Sequence, residues 1–326
     1  MDKLARRSEQ QRAELFQETA ASRGMTPAIV EKDFWVSWIL GHLYQNKHLA
    51  RELMFKGGTS LSKVYGLIER FSEDIDLILD WRAVTADDPM ATRSKTKQST
   101  LNQQINDKAQ AYIASDLLSL MIEAVGDLCD CDIDKQDPYV MNIRYPAAFK
   151  DDYLRPQVRL EIGPLASWLP FEEKTISCYA AEAFPNVFDT REYAVRVITA
   201  ERTFWEKATI LHHEAHRPKD NPQPSRYSRH YYDLAKMANS SVKQKALNDL
   251  ALLENVVAFK QRFYPRGWAK YELAVPGSLK LVPPTQVLNS VQQDYKHMQD
   301  MIFGDIPDFE VMMHTLQTLE NDINQK

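Results

Sequence analysis

A mixed α/β fold is predicted by three features of this 326-residue sequence. A strand, a glycine turn, a helix and a second strand follow one another between Glu52 and Leu79. Four more strand candidates cluster between Tyr139 and Ile198, and from Thr199 onward the pattern is helical. The chain therefore divides into a core of residues 1–198, with helices ahead of its sheet, and a helical C-terminal domain of residues 199–326.

Met1 to Gly24 carries Arg6, Arg7, Arg12 and Arg23 beside several acids and reads as a helix. Between Pro27 and Leu43 the residues Ile29, Phe34, Trp35, Trp38, Ile39 and Leu43 recur at helical spacing, which predicts an amphipathic helix. A short strand at Glu52–Phe55 is broken by Gly57 and Gly58. Leu61, Val64, Tyr65 and Ile68 then mark a helix beginning near Thr59. Asp74–Leu79 reads D-I-D-L-I-L, an alternation that fits a strand with one face buried. After a polar loop at Arg82–Gln98, a long helical stripe runs from Leu101 to Met121. Strands are expected at Tyr139–Tyr145, Gln157–Ile162, Thr175–Ala180 and Ala194–Ile198. Helices are expected at Ala200–Ala215, Arg229–Ala238, Lys243–Phe263, Val287–Phe303 and Phe309–Ile323. The segment H-R-P-K-D-N-P-Q-P-S-R-Y-S, with its three prolines, is a basic surface loop.

Composition narrows the function classes. A hydrophobic content of 44% supports a real core, and no apolar run approaches the ~18 residues of a membrane span. The N-terminal stretch has no apolar signal segment, so a cytoplasmic protein that does not enter the membrane is expected. Cys129, Cys131 and Cys178 are too few for a disulfide framework, and C-x-C without a second pair is a poor zinc signature. They read as reduced core or strand residues. A net charge of −5 excludes a protein that coats nucleic acid over its whole surface, yet leaves room for a local basic groove that takes RNA or a triphosphate.

The chemistry lies in F-K-G-G-T-S-L-S-K-V-Y-G-L-I-E-R-F-S-E-D-I-D-L-I-L, from Phe55 to Leu79. Gly57 and Gly58 let the backbone approach a ligand closely, and a helix starting beside them turns its free N–H groups toward an anion. Thr59 or Ser60 can add a hydroxyl. Asp74 and Asp76 fall on one face of the next strand, about 7 Å apart, where they repel each other unless a cation lies between them. Hard oxygen ligands favour a divalent ion, and magnesium suits them best, with manganese as the substitute. A metal beside a phosphate-cradling turn is what phosphoryl or nucleotidyl transfer requires.

G-G, a helix, then D-h-D on a strand is similar to the signature of the polymerase-β-like nucleotidyltransferases. The fuller string G-G-T-S-L with R-F-S-E-D-I-D-L resembles the AbiEii/AbiGii-type toxin branch. E-K-D-F-W at Glu31–Trp35, E-R-T-F-W-E-K-A-T-I-L-H at Glu201–His212 and S-R-H-Y-Y-D-L at Ser228–Leu234 agree with it, so the resemblance spans roughly Ile29 to Leu234. The fifteen residues between Gly58 and Asp74 exceed the general superfamily spacing but suit this branch. The resemblance implies a nucleotidyltransferase-like core built on a mixed sheet, and a third carboxylate on a neighbouring strand, which Glu161 in V-R-L-E-I matches. It also implies a helical lysine that contacts the nucleotide phosphates, matched by Lys207, and an acidic position in the following helix, matched by Asp233.

Residues and resemblance together imply an NTP-dependent transferase with Asp74, Asp76 and Glu161 as catalytic metal ligands. Gly57, Gly58, Thr59, Ser60, Ser72, Lys207 and Asp233 would serve the nucleotide. The acceptor implied is tRNA or a protein hydroxyl, and the role implied is the toxin of a toxin–antitoxin or phage-defence system with a cognate antitoxin. A transferase making a small nucleotide product and a non-catalytic nucleotide-binding module are the alternatives.

Plainer readings stand beside these. Gly57–Gly58 is also a simple turn, the two aspartates a solvated strand face, Glu161 a salt-bridge partner of Arg159, and Ser72 a strand-entry residue. Arg70 serves phosphate or is plain surface. Lys207 has Thr203, Phe204, Ile210 and Leu211 at its helical neighbours, so no acid on its own helix pairs with it. Lys32 and Asp33, in a first helical turn, also read as capping and solvation. H-H-E-A-H at His212–His216 is out of register for a zincin site and reads as a solvated helix end, and neither Walker A nor G-x-G-x-x-G is present.

Overall fold

Capping side chains start most of the helices. In the computed structural model, which describes residues 1–72, 74–150 and 154–326, α1 (Asp2–Ala5) leads into α2 (Glu9–Arg23). The Ser8 hydroxyl accepts the Gln11 N–H at the start of α2. Gly24, with φ +66°, closes it in the left-handed region that glycine adopts freely. Thr26 caps α3 (Pro27–Gln45), which has Pro27 in its first turn, and Asn46 caps α4 (Lys47–Glu52) through the His48 and Leu49 N–H groups. Glu73, inside the acidic motif, and 151–153 lie outside the described residues.

The described residues pack as two units. The first comprises Met1–Val64 and Phe71–Ile198; the second comprises Tyr65–Arg70 and Thr199–Lys326. In the first, β1 (Leu53–Lys56), α5 (Gly57–Lys63) and β2 (Asp74–Leu79) form the glycine and acidic segments. The helical stripe forms α6 (Lys95–Tyr112) and α7 (Leu118–Val125), joined by a π-helical turn at Ile113–Leu117. Then come β3 (Asp130–Ile133), β4 (Val140–Arg144), β5 (Gln157–Gly163), β6 (Phe171–Ser177), α8 (Tyr179–Ala183) and β7 (Glu192–Ile198). The seven strands form one mixed sheet in the order β3-β4-β5-β2-β1-β7-β6. β2 runs parallel to β5, and β1 parallel to β7; the other neighbours are antiparallel. The mixed α/β fold follows directly from this sheet and its helices.

Several local expectations change. α3 is a buried helix rather than an amphipathic one: Val36 and Leu40 are as enclosed as Trp35 and Trp38, because α2, α7, α8 and β7 all pack on it. Gly41 permits the β7 approach, since a Cβ there would overlap the Tyr193 ring. The helix after the glycines ends at Lys63, and Tyr65–Arg70 packs with the second unit. β3 is a strand that the sequence does not announce, because D-C-D-I offers only weak apolar alternation at a sheet edge. Cys178 ends no strand but caps α8 through its sulfur, and all three cysteines are free.

The second unit is helical: α9 (Ala200–Ala215), α10 (Ser228–Ala238), α11 (Ser241–Leu247), α12 (Leu250–Phe263), α13 (Thr285–Met298) and α14 (Phe309–Asn324). The single helix expected at Lys243–Phe263 is two, because Asp249 starts a new one by accepting the Leu252 N–H. Phe204, Trp205, Tyr231, Tyr232, Tyr295 and Leu316 fill its core. Among the described residues no helix is long and apolar enough to cross a membrane.

Candidate active site

Register across the sheet brings the three predicted carboxylates to one face. Along β5 and the first half of β2 the residues alternate between buried and half-buried, and Asp74, Asp76, Arg159 and Glu161 all take the half-buried side. Asp76 lies directly beside Glu161 in the parallel ladder, and Asp74 beside Arg159. On its other side Asp76 pairs in register with Lys56 of β1. Two rows therefore cross the sheet, Lys56–Asp76–Glu161 and Asn142–Arg159–Asp74.

The glycine turn abuts the first row. Gly57 has φ +80°, and a Cβ there would collide with the Asp76 carboxylate. Only a residue without a side chain allows this approach. The hydroxyls expected to face an anion turn inward: Thr59 Oγ1 donates to the Asp74 carbonyl, and to that of Ser72 at 3.4 Å. Ser60 Oγ donates to the Gly57 carbonyl at 2.8 Å, and both side chains are buried. Thr59 thus ties the start of α5 to the start of β2. Ser72, half-buried at the turn before β2, supplies its carbonyl to that tie.

The anchor for α5 comes from E-K-D, whose residues are buried rather than solvated. Asp33 pairs with Lys63 at 2.6 Å and accepts the Tyr179 N–H at 2.7 Å, while Lys63 lies over the Tyr179 ring. Glu31 accepts the N–H groups of Ala148 and Phe149, and Lys32 donates to the Arg155 carbonyl.

Arg159, a candidate partner for Glu161 by sequence, contacts other acids. Its Nε lies 3.5 Å from Asp74 Oδ1 and its Nη1 3.2 Å from Asp134 Oδ2. Asp134 also accepts the Gln136 and Asp137 N–H groups and the Asn142 amide. The Gln136 N–H and the Asn142 amide are the main bonds that hold its carboxyl down at about 2. Sequence reasoning misses Asp134, although the alternation Q-V-R-L-E-I already sets Arg159 on the Glu161 face. The donors suit a hard divalent ion, being carboxylate oxygens from adjacent strands. Among the described residues, however, no three His, Cys, Asp or Glu side chains are already gathered as a metal cage.

In the second unit Lys207 and Asp233 form a buried pair at 2.7 Å, and Arg70 grips the same carboxylate through Nε and Nη2, each at 2.7 Å. Asp233 is 0% exposed and Lys207 6%. Burial alone would raise the Asp233 carboxyl, but Arg70 and Lys207 hold it well below the usual range. Burial pushes the Lys207 ammonium down against the pull of Asp233. Two cations about one carboxylate leave a positive excess there.

The histidine run is not a solvated helix end. His212 is enclosed, its Nδ1 accepting the Lys280 N–H and its Nε2 facing the Lys270 carbonyl, and burial pushes its pKa down to about 4. Glu214 binds His213 and Arg217, and Arg217 stacks on Trp268. One base of the basic loop is therefore tied down.

The family model for the nucleotidyl transferase AbiEii toxin of type IV toxin–antitoxin systems matches residues 38–319. Among solved structures, MenT4, a nucleotidyltransferase toxin from Mycobacterium tuberculosis H37Rv, is similar at 16% identity. The match covers 95% of this chain and 97% of that chain with a TM-score of 0.45. No curated protein sequence matches.

Proposed function

Because the chain belongs to the AbiEii nucleotidyltransferase toxin family, and so is an NTP-dependent nucleotidyltransferase paired with an antitoxin, we propose that Asp74, Asp76 and Glu161 are its catalytic metal ligands. The observation that carries this reading is the register that sets Asp76 beside Glu161, with Gly57 against the Asp76 carboxylate. A bound Mg²⁺ or Mn²⁺ would neutralise charge on the α-phosphate and on the departing pyrophosphate.

The chain's own groups do the rest. The backbone at Gly57 and Gly58 cradles phosphate oxygens, while Thr59 and Ser60 hold that turn through their carbonyl contacts. Ser72 anchors the turn into β2. In the second unit, Lys207 offers its ammonium to the nucleotide's phosphates, and Asp233 with Arg70 orients it. The acceptor hydroxyl attacks the α-phosphorus in line, its proton passes to a carboxylate of the acidic face, and the bond to the β-phosphate oxygen breaks. The acceptor is tRNA or a protein hydroxyl, and the toxin acts in phage defence inside the cytoplasm.

The test incubates the protein with Mg²⁺, each α-labelled NTP and total cell RNA and protein. Label should enter tRNA or a protein in the wild type and fall at least about 100-fold in Asp76→Asn. A free labelled dinucleotide would favour the small-product alternative. Tight nucleotide binding without turnover would favour the non-catalytic one, and equal labelling by Asp76→Asn would overturn the assignment of the acidic face.

A further inference from the structure

The acidic face carries its own cation. Asp74, Asp76 and Glu161 would repel one another on one side of two adjacent strands, and Arg159 sits in register beside Asp74 with its guanidinium shared between two carboxylates. The two contacts are unequal. At 3.2 Å the Asp134 contact is a hydrogen bond, whereas Nε to Asp74 at 3.5 Å is an ion pair of longer reach. Asp134 is fixed by two backbone N–H groups and the Asn142 amide, and Asn142 in turn accepts from Gln157. The outer carboxylate is thus preorganised on the β3–β4 side, and the inner one is a proposed metal ligand.

A guanidinium cannot shed its charge. Any divalent ion that reaches Asp74 therefore meets a positive group already beside it.

We propose that Arg159 is a built-in counter-cation of Asp74, retained by Asp134, and that its balance between these two carboxylates sets the affinity of the acidic face for a divalent cation. The inference rests on the reading of Asp74, Asp76 and Glu161 as metal ligands. Arg159 is a positioning residue here and touches no reacting atom. In the absence of metal it offsets the repulsion among the acids and keeps the face assembled. Drawn toward Asp134, it presses less on Asp74. Without Asp134 it would lean wholly on Asp74 and compete with the ion.

The measurement is Mn²⁺ binding to the full chain without nucleotide, read by electron paramagnetic resonance of free Mn²⁺, with thermal melts to confirm folding. Arg159→Gln should lower the Mn²⁺ Kd about tenfold, because a like charge is removed from beside Asp74, a proposed ligand of the ion. Arg159→Lys keeps the charge and should change the Kd less. Asp134→Asn should raise the Kd about fivefold by releasing the guanidinium onto Asp74. The double variant Arg159→Gln/Asp134→Asn should bind like Arg159→Gln alone, since Asp134 acts only through the arginine. Weaker or unchanged binding in Arg159→Gln, or additive effects in the double variant, would overturn the proposal. If wild type and Asp76→Asn bound Mn²⁺ equally, the metal assignment itself would fall instead.

Discussion

Gly57 is the residue on which the site's geometry turns most sharply. Its φ of +80° and the Asp76 carboxylate in the space of a Cβ both forbid a side chain. Gly57→Ala should therefore cost about 1–3 kcal/mol in backbone strain and reduce nucleotidyl transfer at least about tenfold, as a melt and a labelling assay would record. Full activity in that variant would remove the close approach from the account. Asp233 makes a second residue-scale case. Asp233→Asn leaves Arg70 and Lys207 buried without a counter-charge and should destabilise the second unit by about 3–5 kcal/mol in urea unfolding. The carboxylates are legible in the sequence, because D-I-D and R-L-E alternate and alternation fixes the face. The hydroxyls of Thr59 and Ser60 are not, since a turn's detailed geometry decides whether an O–H points to ligand or to a nearby carbonyl. Asp134 is equally hidden, its partner Arg159 being 25 residues away in the chain.

At the scale of elements, α5 has seven residues and is too short to hold itself. Asp33 and Lys63 pin it against α3 and the start of α8. Lys63→Met should leave a buried carboxylate unpaired and cost about 3–5 kcal/mol, and adding Asp33→Asn should recover part of that loss. Helical spacing shows that α3 exists, but spacing alone does not reveal that other elements enclose its remaining face. Its charged stretch Glu31–Asp33, in the second turn of the helix, resembles solvated capping for the same reason. The α9 histidines mislead likewise, since their polarity suggests solvent and tertiary packing buries them. Their burial has a pH consequence. His212 titrates near 4 in the folded chain against about 6.5 unfolded, so between those values the unfolded state binds more protons and stability falls as pH drops. His212 alone should contribute about 2 kcal/mol to the loss between pH 7 and pH 5, and His213 and His230, whose pKa values burial also lowers, add to it in the same direction. Urea unfolding of the wild type at both values would show it. His212→Gln, which keeps a donor and an acceptor, should reduce the difference by about 2 kcal/mol and leave the share of His213 and His230.

For the molecule as a whole, the sheet-bearing unit holds the proposed metal ligands and the helical unit holds the Lys207–Asp233–Arg70 cluster. The change from strand-rich to helical pattern near Thr199 is visible in the sequence. The allegiance of Tyr65–Arg70 is not, because its apolar residues continue the periodicity of the helix before it, while Arg70 bridges to Ile302 and reaches Asp233. Nucleotide with Mg²⁺ at about 100 times its Kd should stabilise the fold by about 2.7 kcal/mol, and Asp76→Asn should abolish that gain in a melt. Anomalous diffraction from crystals soaked with Mn²⁺ and a non-hydrolysable NTP would locate the ion and the triphosphate together. A manganese peak bound by Asp76 and Glu161 is expected, with Asp74 beside it and phosphate oxygens against Gly57 and Gly58. A nucleotide bound elsewhere, or a manganese peak that none of the three carboxylates touches, would contradict the metal assignment.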